Sequence, residues 1–428
     1  MMLQFRWHYK TLLFLLFSAG STIIFHSCLK SDKPGIPPEV VEVIQQTGFN
    51  RIELTKTIGN YLPPEDSLKL KAAYFLISNM PRQYSIDFSL KDSLGNEITY
   101  NPQTISNEDE FLSYWQNLED QLGELSFEVE KFTLDRDTID SETLIETIDL
   151  ALESRSNTWS QDYSFDDFLV GVLPYRIGNE HIEQWRPFLK NWFLPLIPDK
   201  IKHNPQEVAH WVNNYINDNF RFDIRYIKKS EVQPILSMFA TKGGNYQDLS
   251  YLKVKALRSL GIPAYLDYIP YFADSTYSYY FASFLNPEHK VEMLPHKGHE
   301  LLLMQTIQIP KIYRRTFLEL KSGLFAQKNI EKTTPPFLGH FHYEDVTSAY
   351  LEVENIIFNG KCSDSLVYLT VFNDKKWRAI DWAVCKNEQA IFQSVSKPDN
   401  YRFAFLPDSS KTLQLLTENT SLQIRSLK

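Results

Sequence analysis

The stretch TKGGNYQDLSYLKVKALRSLGIPAYLDYIP, residues 241 to 270, predicts a glycine turn followed by a helix and a buried strand. Apolar residues recur at helical spacing after the turn. Gly261 then stands where a helix ends, and Pro263 prevents its continuation. Many enzymes hold a nucleophile at the N-terminus of such a helix, but the residue at this point is Tyr246.

The composition is that of a folded protein of two or three domains. The chain has 428 residues, of which 43% are hydrophobic and 23% are charged. Its net charge is -9, and no run of Lys and Arg supplies a local basic surface. Nucleic acid is therefore excluded as an expected partner.

The N-terminus predicts a secreted, lipid-anchored protein. A basic start is followed by the apolar run TLLFLLFSAGSTIIF, which is too short and wrongly flanked for a stable membrane span. Ser27 before Cys28 resembles the processing box of bacterial lipoproteins, so we expect residues 1–27 to be a signal peptide and Cys28 to carry lipid. Residues 28–38 are the expected tether, and the cell envelope, at the periplasmic face or the cell surface, is the expected location. The alternative is an uncleaved anchor.

The remaining chain predicts an α+β protein. Residues 39–160 show helical periodicity. Residues 345–428 contain seven short strand candidates separated by turns, which is typical of a β-sandwich. Trp377 and Trp382 in this region fit its core, with sugar stacking as the alternative.

The cysteines leave a disulfide as an open alternative, and the histidines do not predict a metal site. Cys362 and Cys385 can form a disulfide in an oxidising compartment, although spacing alone cannot show that they meet. A histidine cluster lies at positions 289, 296, 299, 340 and 342, without the usual fixed set of three or four metal ligands. We expect no metal and no cofactor.

The quoted stretch resembles the transglutaminase-like superfamily, specifically its lipoprotein members common in Bacteroidetes. The segments FLVGVLPYRIGNEHIEQWR, KIYRRTF and EDVTSAY are also similar to segments of those lipoproteins. The resemblance implies a papain-like core, here over residues 161–344. The matching motif residues are Arg258, Leu260, Gly261, Ile262, Pro263, Asp267 and Pro270.

The resemblance implies a Cys-His-Asp relay in active members, and this chain departs from it. The helix places Tyr246 at the cysteine position, and counting onward places Ser278 at the histidine position. A phenol has a pKa near ~10, and a helix N-terminus lowers it by less than about one unit. The catalytic residues are therefore predicted to be lost. The family's acid is left open among Asp267, Asp274 and Asp345.

Three functions follow as hypotheses. The first is a non-catalytic, membrane-anchored protein that binds or scaffolds a peptide, protein or glycan. The second is an active transglutaminase or cysteine-protease-like hydrolase in which His289 or His296 serves an unrecognised nucleophile. The third is carbohydrate binding by the β-sandwich. For the first, Tyr246 either lines a groove or plugs it, and the groove candidates are Tyr246, Asp248, Tyr277, Tyr279 and Tyr280.

Overall fold

A computed structural model describes most of the chain after the N-terminal segment. The described residues are 35–62, 66–275, 278–300, 309–319, 342–362, 366–396, 400–405, 414–415 and, by backbone alone, 421–426. The predicted signal peptide, Cys28 and most of the tether lie outside these residues. Within them, none of the helices is both long enough and apolar enough to cross a membrane.

The N-terminal region contains a sheet as well as helices, so the prediction of a helical region over 39–160 is wrong in part. Its three-stranded antiparallel sheet has the order β2-β1-β3. Strand β1 buries residues in pairs, which hides the period of two that marks a strand. The elements are α1 Pro38–Gln46, α2 Arg51–Asn60, α3 Ser67–Ser78, β1 Tyr84–Lys91, β2 Glu97–Ile98, α4 Glu108–Leu122, β3 Ser126–Leu134, α5 Asp135–Thr138 and α6 Ser141–Ser154.

The central region is built on a five-stranded antiparallel sheet of order β10-β9-β6-β7-β8. Its helices are α7 Phe165–Gly171, α8 Trp185–Phe193, α9 Pro205–Asn219, α10 Ile235–Thr241 and α11 Tyr246–Ser259. Its strands are β4 Arg221–Phe222, β5 Gly243–Gly244, β6 Ala264–Ile269, β7 Tyr279–Leu285, β8 Val291–Leu294, β9 Tyr313–Arg315 and β10 Tyr343–Asp345. The short strands β4 and β5 pair in parallel and lead the chain into α11.

Helix α11 and strand β6 are the helix and strand predicted from residues 241 to 270. Every residue of α11 from Asp248 to Ser259 is buried. Gly261 ends the helix with φ +82, and a Cβ there would lie 2.6 Å from the carbonyl oxygen of Ser154. A side chain at this position would therefore be strained and would clash with the backbone.

The C-terminal region consists of two antiparallel sheets, of order β14-β11-β17 and β13-β12-β15-β16. Phe358 and Phe392 from the first sheet and Leu369 from the second lie in one core cluster, as in a β-sandwich. Each predicted strand segment contains a strand. They are β11 Glu354–Asn359, β12 Leu366–Asn373, β13 Lys376–Val384, β14 Gln389–Val395, β15 Arg402–Phe405, β16 Gln414–Leu415 and β17 Ser421–Ser426.

A buried ion cluster joins the central region to the sandwich. The side chain of Lys311 is 1% exposed, and its amine lies 3.0 Å from a carboxylate oxygen of Asp381 and also contacts Asp345. Burial acts to lower the pKa of the Lys311 amine, but the two carboxylates outweigh burial and the pKa is raised. The charged amine therefore holds two carboxylates together at the domain boundary.

The substitution Lys311→Met should destabilise the protein by about 3 to 5 kcal/mol, because it leaves Asp345 and Asp381 facing each other without a cation. Urea unfolding would measure this change. Lys297→Met is the control, because Lys297 pairs with Asp218 at 3.0 Å but is 72% exposed. The control should change stability by less than about 1 kcal/mol. Equal effects of the two substitutions would contradict the structural role of Lys311.

Candidate functional site

The start of helix α11 is held by a reciprocal cap. The Asn245 side chain accepts from the Asp248 main-chain N–H at 2.9 Å, and the Asp248 carboxylate accepts from the Asn245 N–H at 3.0 Å. The same carboxylate accepts from the Gln233 main chain and from its side-chain amide. Asp248 is 1% exposed. It is therefore a structural cap, and its prediction as a groove residue is wrong.

Tyr246, the first residue of α11, is packed among other rings. Its ring stacks on Phe222 with centroids 4.5 Å apart. It also lies 4.8 Å from the ring of His296, 4.9 Å from that of His299 and 5.4 Å from that of Tyr279. The rings are in contact around a half-buried phenol. Of the two alternatives left open by the sequence, this packing favours a plug over an open aromatic groove.

The Tyr246 hydroxyl lies 3.2 Å from Nε2 of His299. Burial raises the pKa of the Tyr246 phenol and lowers the pKa of the His299 imidazole. The ordinary pKa values, ~10 for a phenol and ~6.5 for an imidazole, already keep the proton on the phenol. Burial moves the two pKa values further apart. The pair is therefore a hydrogen bond between two neutral groups.

His296 is held in one tautomer beneath this pair. Its Nε2 lies 3.1 Å from the Tyr280 carbonyl oxygen and 3.0 Å from Oγ of Ser250. A carbonyl only accepts, so Nε2 carries the proton. The Ser250 hydroxyl donates to the Tyr246 carbonyl at 2.6 Å, which leaves its oxygen free to accept. Burial lowers the pKa of His296 well below its ordinary range, and nearby Lys253 acts in the same direction.

Comparison with known families identifies the domain that carries this site. The core model of the Transglutaminase-like superfamily matches residues 197–273. The chain contains a transglutaminase-like domain. The matched residues include α9, α11 and β6, and the sequence has no cysteine among them. A search of curated proteins found no match.

The two imidazoles beside Tyr246, those of His296 and His299, come from a segment that follows the residues matched by the family model. Ser278, predicted at the histidine position, is exposed just before β7. His296 and His299 follow β8 and lie beside Tyr246. Ser278 thus does not mark the place of an imidazole in this site, and one of the two imidazoles present is His296, a base candidate of the second hypothesis. The available signal was the pair of histidines three residues apart in LPHKGHE, directly after a strand.

The other predicted groove residues are dispersed. Tyr279 is buried against Tyr246. Tyr280 is its neighbour on β7 and therefore faces the opposite side of the sheet, where its ring stacks on Tyr268 with centroids 5.7 Å apart. Tyr280 is thus not a groove side chain. Tyr277 lies outside the described residues.

The three candidate acids have structural partners elsewhere. Asp267 is buried and accepts two hydrogen bonds of 2.8 Å from the Arg314 guanidinium. Asp345 contacts Lys311 at the domain boundary. The Asp274 carboxylate accepts from the Asn400 side-chain amide at 3.4 Å on the surface. Each of the three carboxylates therefore has a partner other than Tyr246, His296 or His299.

The C-terminal candidates also lie away from Tyr246. Cys362 and Cys385 form a disulfide within the sandwich.

Trp377 and Trp382 are both half-buried. Trp382 lies against the central region, with its indole nitrogen 3.3 Å from the Tyr343 hydroxyl. Trp377 lies under the Arg402 guanidinium, 4.8 Å from the ring centroid. His289, a base candidate of the second hypothesis, is exposed, with its Nδ1 3.5 Å from a carboxylate oxygen of Asp167.

An alkaline titration should show that Tyr246 stays protonated. The ultraviolet absorbance of phenolate is measured in the wild type and in Tyr246→Phe, and the difference reports Tyr246. We expect no difference below about pH 10, because burial raises the pKa of Tyr246. Tyr114→Phe is the control for loss of one half-buried tyrosine elsewhere. A Tyr246 phenolate at neutral pH would contradict the neutral hydrogen bond.

Lys253 predicts a pH dependence of stability. Burial lowers the pKa of its amine from 10.5 to about 7. As pH falls from about 10 to about 7, the Lys253 amine therefore takes up a proton in the unfolded chain but not in the folded chain. The free energy of unfolding decreases over that pH range. Urea unfolding of the wild type should show this slope. Lys253→Met should reduce it, whereas Lys297→Met, at an exposed lysine, should retain it. Equal slopes in all three proteins would refute the assignment.

Proposed function

We propose that this protein is a non-catalytic transglutaminase-like protein that binds a peptide or glycan at the cell envelope. It is held there by lipid on Cys28. The transglutaminase-like domain serves as a binding or scaffold module, with Tyr246 in place of a nucleophile. The membrane, through the lipid, and the peptide, protein or glycan ligand are its proposed partners.

The packing of the Tyr246 ring against four other rings, at the position where a nucleophile is expected, is the observation that supports the loss of catalysis. A thiol nucleophile works as an anion, and its pKa is lowered by a helix N-terminus and a nearby cation. Here burial shifts the Tyr246 phenol and the His299 imidazole toward their neutral forms. The His296 Nε2 proton is already directed at a carbonyl oxygen. The arrangement therefore favours a fixed core over an activated nucleophile.

The ligand is proposed to contact the exposed side of the Phe222 and Tyr246 stack. Phe222 is 39% exposed, although it is a large apolar side chain. Arg221 beside it is also exposed. An aromatic face next to a guanidinium suits the ring face of a sugar or the side chains and carboxylates of a peptide. The ligand thus lies on the ring cluster rather than within it.

An acyl-transfer assay tests the absence of catalysis. The full chain is mixed with a glutamine-containing peptide and a primary amine, and amide formation and ammonia release are measured. We expect the wild type and Tyr246→Phe to give the same background rate. A wild-type rate above background that Tyr246→Phe abolishes would show that the site is catalytic.

A binding assay tests the ligand surface. Peptidoglycan stem peptides and disaccharides are titrated while intrinsic fluorescence is followed. Phe222→Ala should weaken binding by about threefold to tenfold, because one aromatic contact is lost. Phe372→Ala is the matched control: Phe372 is 38% exposed and packs against Trp377. If Phe372→Ala alone weakens glycan binding, the sandwich is the binding site and the proposal is wrong.

A further inference from the structure

Three potential metal ligands from separate segments meet on the side of the N-terminal sheet. They are Asp87 in β1, His181 in the loop before α8 and Glu231 in the loop before α10, and their ligand atoms all lie within 4.8 Å of one another. Nε2 of His181 is 3.0 Å from Oδ1 of Asp87. The main-chain N–H of Phe88 donates to Glu231 at 3.4 Å. An imidazole and two carboxylates therefore converge at one place.

This cluster differs from the other exposed histidine–carboxylate pairs in the described chain. His210 lies 3.3 Å from Glu292, and His289 lies 3.5 Å from Asp167. The Glu292 carboxylate also accepts from two side-chain amides, those of Gln206 and Asn286. Among the described residues, the metal-ligand geometry is met at His181 alone, where a second carboxylate approaches the pair.

Two of the three ligands, His181 and Glu231, line a small cleft. Asn179, Ser230 and Phe88 line the cleft together with His181 and Glu231. The side chains of His181 and Asp87 are 57% and 41% exposed. A hydrated ion can therefore reach the ligand atoms, and water can complete the coordination.

We propose that Asp87, His181 and Glu231 bind a divalent transition-metal ion of the zinc class. Zinc binds imidazole nitrogen and carboxylate oxygen at about 2.0 to 2.2 Å, which places tetrahedral ligands roughly 3.4 Å apart. The His181 and Asp87 atoms are already closer than this. Exposed side chains can rotate to bring in Glu231. Magnesium and calcium prefer oxygen ligands alone, so the imidazole selects against them.

Metal binding would join the N-terminal sheet to the transglutaminase-like domain. Asp87 belongs to β1, whereas Glu231 lies within the residues matched by the family model. An ion that binds the folded chain and not the unfolded chain raises stability. The metal ion would thus stabilise the contact between the two regions. This structural role does not depend on the proposed function.

Zinc binding by the full chain tests the proposal. The protein is purified in detergent without a histidine tag, treated with a chelator and titrated calorimetrically with Zn²⁺, and separately with Ca²⁺. We expect one zinc ion per chain, no calcium binding at this site and an unfolding temperature that rises by a few degrees with zinc. His181→Ala and Asp87→Asn should each weaken zinc binding by about tenfold or more and remove that temperature shift.

His210→Ala is the matched control, because it removes an exposed histidine from a carboxylate pair without a third ligand. It should bind zinc as the wild type does. The metal-free unfolding temperature of each variant shows that the variant is folded. The proposal is overturned if the wild type shows no saturable zinc binding, or if His181→Ala and Asp87→Asn both retain wild-type affinity.

Discussion

Burial of helix α11 on all sides obliges each of its polar side chains to have a partner inside the protein. The Lys255 amine pairs with Glu183 at 2.6 Å, and the Lys253 amine donates to the Pro295 carbonyl at 2.8 Å. The Arg258 guanidinium donates to main-chain carbonyls, one of them in β6. A buried charge without a partner is costly, so these contacts fix the helix against the segments before α8 and after β8. The site is built on this fixed helix.

The same burial sets the ionisation states of the groups at the site. In a poorly solvated environment the charged form of an ionisable group is disfavoured, and desolvation is the largest influence on Tyr246, His296 and His299. A cysteine nucleophile acts as its thiolate anion, which a nearby cation stabilises. The packed rings around Tyr246 supply neither group. The helix and strand of the transglutaminase-like domain therefore border an uncharged centre.

Local patterns account for the elements that the sequence predicted well. Glycines, periodic leucines, Gly261 and Pro263 define α11 and β6 because each acts on its own neighbourhood. The sandwich strands are short and are separated by turn residues that can be read from the sequence. The sheet of β1 and β3 was missed because its partners are distant: Tyr84 pairs with Leu134. Short-range periodicity carries no information about such a pairing, and β3 is almost wholly exposed.

The sequence by itself determined that no thiol stands at the start of α11, because residue identity requires no geometry. It also determined the helix, the strand after it and the strand-rich C-terminal region. Only the tertiary structure decided that His296 and His299 surround Tyr246. The Tyr246 and His299 side chains are 53 residues apart in the chain. Their contact depends on how β7 and β8 pair and return the chain to the helix, and that long-range packing is absent from any local pattern.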